Sequence, residues 1–81
     1  MYYYLTKYSF DPDKVVHGPF KTEEEAWAAM EADANEQCRI DTEENQWDAR
    51  LFKHKDNGEI TLIDYFVAHQ DTTEFFIFEI N

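Results

Sequence analysis

The chain predicts a single α+β domain of order β-α-β-β-β, with one helix packed on one face of a four-stranded, mostly antiparallel sheet. Three observations carry this. A capped segment rich in strong helix formers begins at Glu23 and runs to Gln37 or Cys38. Runs of aromatic and β-branched residues flank it, one before and three after. An Asn57-Gly58 pair separates two of the later runs. Eighty-one residues leave room for one domain, 1–81. One helix beside a set of hairpins closes most simply as two layers.

The first strand is Tyr2 to Phe10, aromatic and β-prone. Period-2 alternation sends Tyr2, Tyr4, Thr6, Tyr8 and Phe10 to one face and Tyr3, Leu5, Lys7 and Ser9 to the other. Asp11-Pro12-Asp13 ends it, because proline fixes φ and biases its neighbour away from helix. The stretch through Val15, Val16, His17, Gly18 and Pro19 reads as a loop. Thr22-Glu23-Glu24-Glu25 is a capping box, in which the Thr22 hydroxyl accepts from the Glu25 N–H and the Glu25 carboxylate reaches back to the N–H of Thr22. Three glutamates in the first turn suit the positive end of the helix dipole. Trp27, Met30, Ala34 and Cys38 form one apolar stripe at helical spacing.

Trp47 to Lys55 is the second strand. Asp56-Asn57-Gly58-Glu59 predicts a type I′ hairpin turn, since Asn-Gly tolerates the positive φ that turn demands. Glu59 to Val67 or Ala68 is the third strand, and His69-Gln70-Asp71-Thr72 turns the chain again. Glu74 to Ile80 is the fourth, and its near-continuous apolar run marks a central strand buried on both faces.

Charge is placed rather than spread. Residues 22–48 hold ten acids against Arg39 alone, −9 of a net −11. If helical, that window carries roughly one charge per 4 Å, close to the ~3.4 Å per charge of one B-DNA strand. Such a field favours a basic partner. It repels anionic lipid and nucleic acid, so neither is expected as a direct ligand. The candidate partner-binding surface is Glu24, Glu31, Asp33, Glu36, Asp41, Glu43, Glu44 and Asp48.

Cys38 is the single cysteine, so no intrachain disulfide forms, which fits a cytoplasmic protein. Met-Tyr-Tyr-Tyr-Leu has neither the basic start nor the apolar core of a signal peptide. No apolar run approaches the ~20 residues of a membrane span.

Catalytic motifs are absent: no Gly-rich phosphate loop, GxSxG, HExxH or CxxC. His17, His54 and His69 lack ligand spacing, so no metal and no other cofactor is expected. Asp41, Glu43 and Asn45 resemble the start of a calcium loop, but Gln46 replaces its glycine and Phe52 its closing glutamate. Cys38 lies near a helix C-terminus among acids, which disfavours a thiolate. Asp64 interrupts an apolar strand and reads as an edge-facing or paired carboxylate before it reads as catalytic.

Both sheet faces carry large apolar groups. Phe76, Phe78 and Ile80 alternate with Phe75 and Ile77, and Leu62 and Phe66 with Ile63, Tyr65 and Val67. One helix covers one face. The other is expected to close against a second copy or an aromatic partner surface, or under the 11–22 loop or strong curvature of the sheet.

In size, acidity and architecture, and in the stretch Gly18-Pro19-Phe20-Lys21-Thr22-Glu23-Glu24-Glu25-Ala26-Trp27, the chain resembles small acidic α+β proteins of phages and mobile elements, among them anti-CRISPR proteins that mimic nucleic acid. The resemblance implies a non-enzymatic inhibitor whose acids occupy a positively charged channel that normally holds DNA or RNA. The alternatives are an accessory homodimer closed through its aromatic sheet face, and a small enzyme built on a histidine and Asp64.

Overall fold

The computed structural model describes all 81 residues. Its strands are β1 (Tyr2–Tyr8), β2 (Lys14–Phe20), β3 (Asp48–His54), β4 (Glu59–Tyr65) and β5 (Gln70–Glu79), and its helix is α1 (Glu23–Arg39). The sheet has five strands in the order β2-β1-β5-β4-β3, and every neighbouring pair is antiparallel. The α+β class and the single helix agree with expectation, and β5 is the central strand.

The strand count is corrected from four to five: the segment read as a loop is β2. Gly18 and Pro19 argue against a strand interior, and β2 satisfies that rule by being an edge strand with a bulge. Pairing runs from Tyr2↔Phe20 to Tyr4↔His17, so β2 carries one extra residue there. Gly18 sits at that irregularity with φ of +134°, and a Cβ on it would lie 2.9 Å from Tyr3 Cδ1 and 3.1 Å from the Tyr2 carbonyl oxygen.

The helix begins as its capping box requires. Thr22 is extended, and its hydroxyl accepts from the Glu25 N–H at 3.1 Å. The Glu25 carboxylate accepts from the Lys21 N–H at 3.1 Å, one residue before the expected donor. Beyond Arg39 the helix widens into a π-type turn, Ile40–Glu44. The β3–β4 connection is a 3₁₀ turn, Lys55–Asn57, closed by Gly58 at φ 67°. The expected type I′ turn is therefore replaced by a longer loop that places only its last residue in the left-handed region.

Cross-strand partners share a face, which sorts the sheet into two sides. One side presents Tyr4, Ile60, Leu62 and Phe75 to Trp27, Met30 and Ala34 of α1, and this forms the core. Phe20, Cys38, Ala49, Leu51 and Ile77 pack around it. The expected apolar helix stripe is thus the seam between the layers. No helix of the chain is long and apolar enough to cross a membrane.

Candidate functional site

The eight acids singled out from sequence sit on α1, its trailing turn and the start of β3. Their surroundings differ. Glu24 lies in the first helical turn, exposed, beside a shallow hollow lined by Glu23, Trp27, Lys55 and Ile77. Glu31 pairs with Lys53 of β3 at 3.3 Å. Asp33 accepts a 2.9 Å hydrogen bond from the Tyr4 hydroxyl, which ties the helix to the sheet. Burial first, and then Asp33, push that phenol above its ordinary range.

Arg39 organises the next group. Its guanidinium donates to Glu36, to Glu43 at 3.2 Å and to Glu44 at 3.0 Å. The bond from Arg39 holds the Glu36 carboxyl below its usual range. One cation is shared by three carboxylates, all largely in water, so these contacts orient the acids more than they stabilise the fold. Asp48 pairs loosely with Arg50 at 3.5 Å.

Asp41 corrects the expected surface: it is 2 % exposed. The reason is helical periodicity. Asp41 follows Cys38 by three residues and Ala34 by seven, so it continues the apolar stripe into the sheet. That spacing was readable in the sequence, but the acidity of the segment masked it. The Asp41 carboxylate accepts from Gln37 Nε2 at 3.0 Å and from Asn45 Nδ2 at 3.4 Å, and its carbonyl accepts from the Trp47 N–H at 2.8 Å.

Asp64 meets it from β4. Alternation with Ile60 and Leu62 turns Asp64 inward, where it is 7 % exposed. It faces the Asp41 carboxylate, and its Oδ1 has no partner. Asp71 stands directly opposite on β5. Burial, then the Asp41 carboxylate, then Asp71 raise the Asp64 pKa to about 7. Two adjacent buried carboxyls cannot both ionise cheaply, so Asp64 keeps its proton to higher pH than an exposed aspartate does. Asp64 is thus not the edge-facing carboxylate that was one expectation for it, but an inward one set beside other carboxylates.

The histidines do not join this pair. His17 Nε2 is 3.0 Å from Thr6 Oγ1, and the ring stacks on Tyr4 at 4.2 Å. His69 stacks on Phe66 at 4.7 Å, and His54 is exposed at the end of β3. None of the surface hollows is lined by Asp64, His17 or His69. No three His, Cys, Asp or Glu side chains converge as metal ligands. Cys38 is half-buried, and burial, then Asp41 and Asp64, push its thiol pKa up, so the nucleophilic thiolate is disfavoured.

Six of the eight candidates therefore lie outside the core on α1 and its trailing turn, Asp41 lies beneath them, and Asp48 is turned to the other face of the sheet beside Tyr65. No protein-family model matches the chain, and neither a curated protein nor a solved structure matches it.

Proposed function

We propose that this chain is a small, non-enzymatic protein-binding module whose acidic helix layer binds a basic protein surface. One observation supports it above the others: the surplus of carboxylates that survives local pairing. With Asp41 buried and Asp48 turned to the other face of the sheet beside Arg50, eight acids of residues 22–48 remain on the helix layer, and only Arg39 and Lys53 form ion pairs with them. Six negative charges are left over. Glu23, Glu24 and Glu25 have no cation within 4 Å, and the group around Arg39 keeps two charges. A surface this one-signed steers and orients a positively charged partner through contacts that salt screens over about 8–10 Å.

The finer reading is an inhibitor that occupies a basic channel in place of DNA or RNA, like the anti-CRISPR-type proteins the chain resembles. It adds one requirement: the module and the nucleic acid compete for the same target.

Affinity capture from lysate tests the broader reading, at about 50 mM and about 500 mM salt, against a variant with Glu24, Glu43 and Glu44 all changed to Lys. Basic nucleic-acid-handling proteins are expected on the parent at low salt only, and displaced by added DNA or RNA. Capture of the same proteins by the reversed variant would refute the proposal; capture indifferent to added nucleic acid would remove the mimicry.

A further inference from the structure

The side of the sheet opposite α1 is an ordered array with nothing packed on it. Register places its residues in rows. Tyr3 and Phe78 stack at 5.5 Å. Beside them run Val16, Leu5 and Phe76, and further along lie Ile63, Tyr65 and Phe52. Val16 is 56 % exposed and Phe52 42 %, and the others are half-buried only by their neighbours on the sheet. Arg50 lies over the Tyr65 ring at 5.6 Å.

Charge separates the candidate occupants. The same face carries Lys7, Lys14 and Arg50 against Asp48, Glu59 and Glu74, three bases and three acids, in a chain of net charge −11. The face is neutral, whereas the helix layer is strongly negative. A basic partner has no reason to choose it, and a second copy meets no net repulsion there. The charges are also graded. Lys7 and Lys14 give β1 and β2 two positive charges, while on β3 and β4 Arg50 pairs with Asp48 and Glu59 leaves one negative charge. Lys7 stands opposite Glu74 of the central strand in the register. A two-fold axis parallel to the strands lays the basic edge of one copy over the acidic edge of the other.

Area agrees. Five strands of about seven residues, spaced ~4.8 Å apart and rising ~3.3 Å per residue, project roughly 550 Å² per copy before side-chain relief is added. A standard stable interface buries about 600–1,000 Å² per partner.

From this neutral, graded, apolar face we infer that the chain forms a symmetric homodimer, two sheets packed back to back with both acidic helix layers facing outward. Aligned sheet packing supplies the geometry, with sheets ~10 Å apart and an angle of about 30°. The dimer doubles the acidic surface without bringing the two copies of it together. The two surfaces lie on opposite sides of the sheet, so loss of one leaves the other intact.

Sedimentation equilibrium tests this on the whole chain. At tens of micromolar the expected mass is twice 9.7 kDa. Phe52→Glu with Val16→Glu is expected to give the monomer mass with an unchanged circular dichroism spectrum. Lys7→Glu weakens the dimer about tenfold or more, and adding Glu59→Lys restores it. Should those variants unfold, isotope-filtered NMR on a mixture of labelled and unlabelled parent chains decides, through contacts from Phe76 and Ile63 to the other copy. A monomeric parent, or a dimer that lacks those contacts or survives the double glutamate variant at full strength, overturns the inference.

Discussion

Leu62 and Ile63 are neighbours on one strand, and they face opposite sides of the sheet. Leu62 points under α1 and is fully buried; Ile63 points to the uncovered face and is half-buried. The contrast extends over the whole sheet. Beneath the helix, Tyr4, Ile60, Leu62 and Phe75 close on Trp27 and Met30, while eight acids of α1 and its trailing turn crowd the outer surface above them. On the other side, rings and aliphatic groups of similar size meet no second layer, and charge is balanced. Composition does not distinguish the two faces; the covering layer does. An alternating strand with both sets apolar leaves one of them available for an external partner.

The largest effect expected from this comparison is on the buried side. Leu62→Ala removes a side chain from a closed core and is expected to cost about 3 kcal/mol. Ile63→Ala, one position along, is expected to cost about 1 kcal/mol or less in a dilute, monomeric sample, because most of the lost contact is with solvent. Urea unfolding at about 1 µM and again at about 100 µM measures both. Equal costs at low concentration would break the comparison. A cost for Ile63→Ala that grows with concentration sharpens it, since burial of that face then depends on a second copy.

The next effect belongs to the carboxyl pair under the helix. Asp64 holds its proton to about pH 7 in the fold, against about 3.9 for a free aspartate. Between these values the folded chain binds more protons than the unfolded one, so stability falls as pH rises from about 4 to about 7 and is level above. At 1.36 kcal/mol per pH unit the contribution is at most about 4 kcal/mol, and solvent around the pair lowers it. Asp64→Asn keeps the position neutral at every pH. It is expected to be more stable than the parent by about 2–3 kcal/mol at pH 8 and no different at pH 4, by urea unfolding across that range. Parallel pH curves for parent and variant would show that the pair carries no such penalty.

These two sites also show where sequence was sufficient. The helix, its Thr22 cap and its stripe were legible because each rests on local spacing. So was the central place of β5, since residues 75–78 are apolar on both faces. β2 was not: its strand character depends on pairing with β1, while Gly18 and Pro19 locally signal a turn. The buried pair was half legible. Asp64 stood out against its strand, but Asp41 was hidden among surface acids, and only tertiary packing brings the two together. Of the acidic surface, the amount was readable and the pairing was not. Arg39 reaches three glutamates because the helix continues into a wide turn at Ile40–Glu44.

The smallest effect tests how that turn is held. Gln46 has φ of 57°, the only residue other than glycine in the left-handed region. It follows Asn45, whose side chain donates to Asp41, and precedes Trp47, whose N–H donates to the Asp41 carbonyl. Strain at Gln46 therefore accompanies the seating of Asp41 against Asp64. A left-handed residue with a Cβ costs about 1–2 kcal/mol, and glycine returns part of that as unfolded-chain entropy, about 0.5–1 kcal/mol. Gln46→Gly is expected to stabilise the fold by about 0.5 kcal/mol, with Gly58→Ala as the converse control. Gly58 sits at φ 67°, and an added Cβ would lie 3.5 Å from Ile77 Cβ, an ordinary contact. Its cost of about 1 kcal/mol is therefore backbone strain alone. If Gln46→Gly destabilises by as much as Gly58→Ala, the Gln46 side chain anchors the turn through contacts of its own.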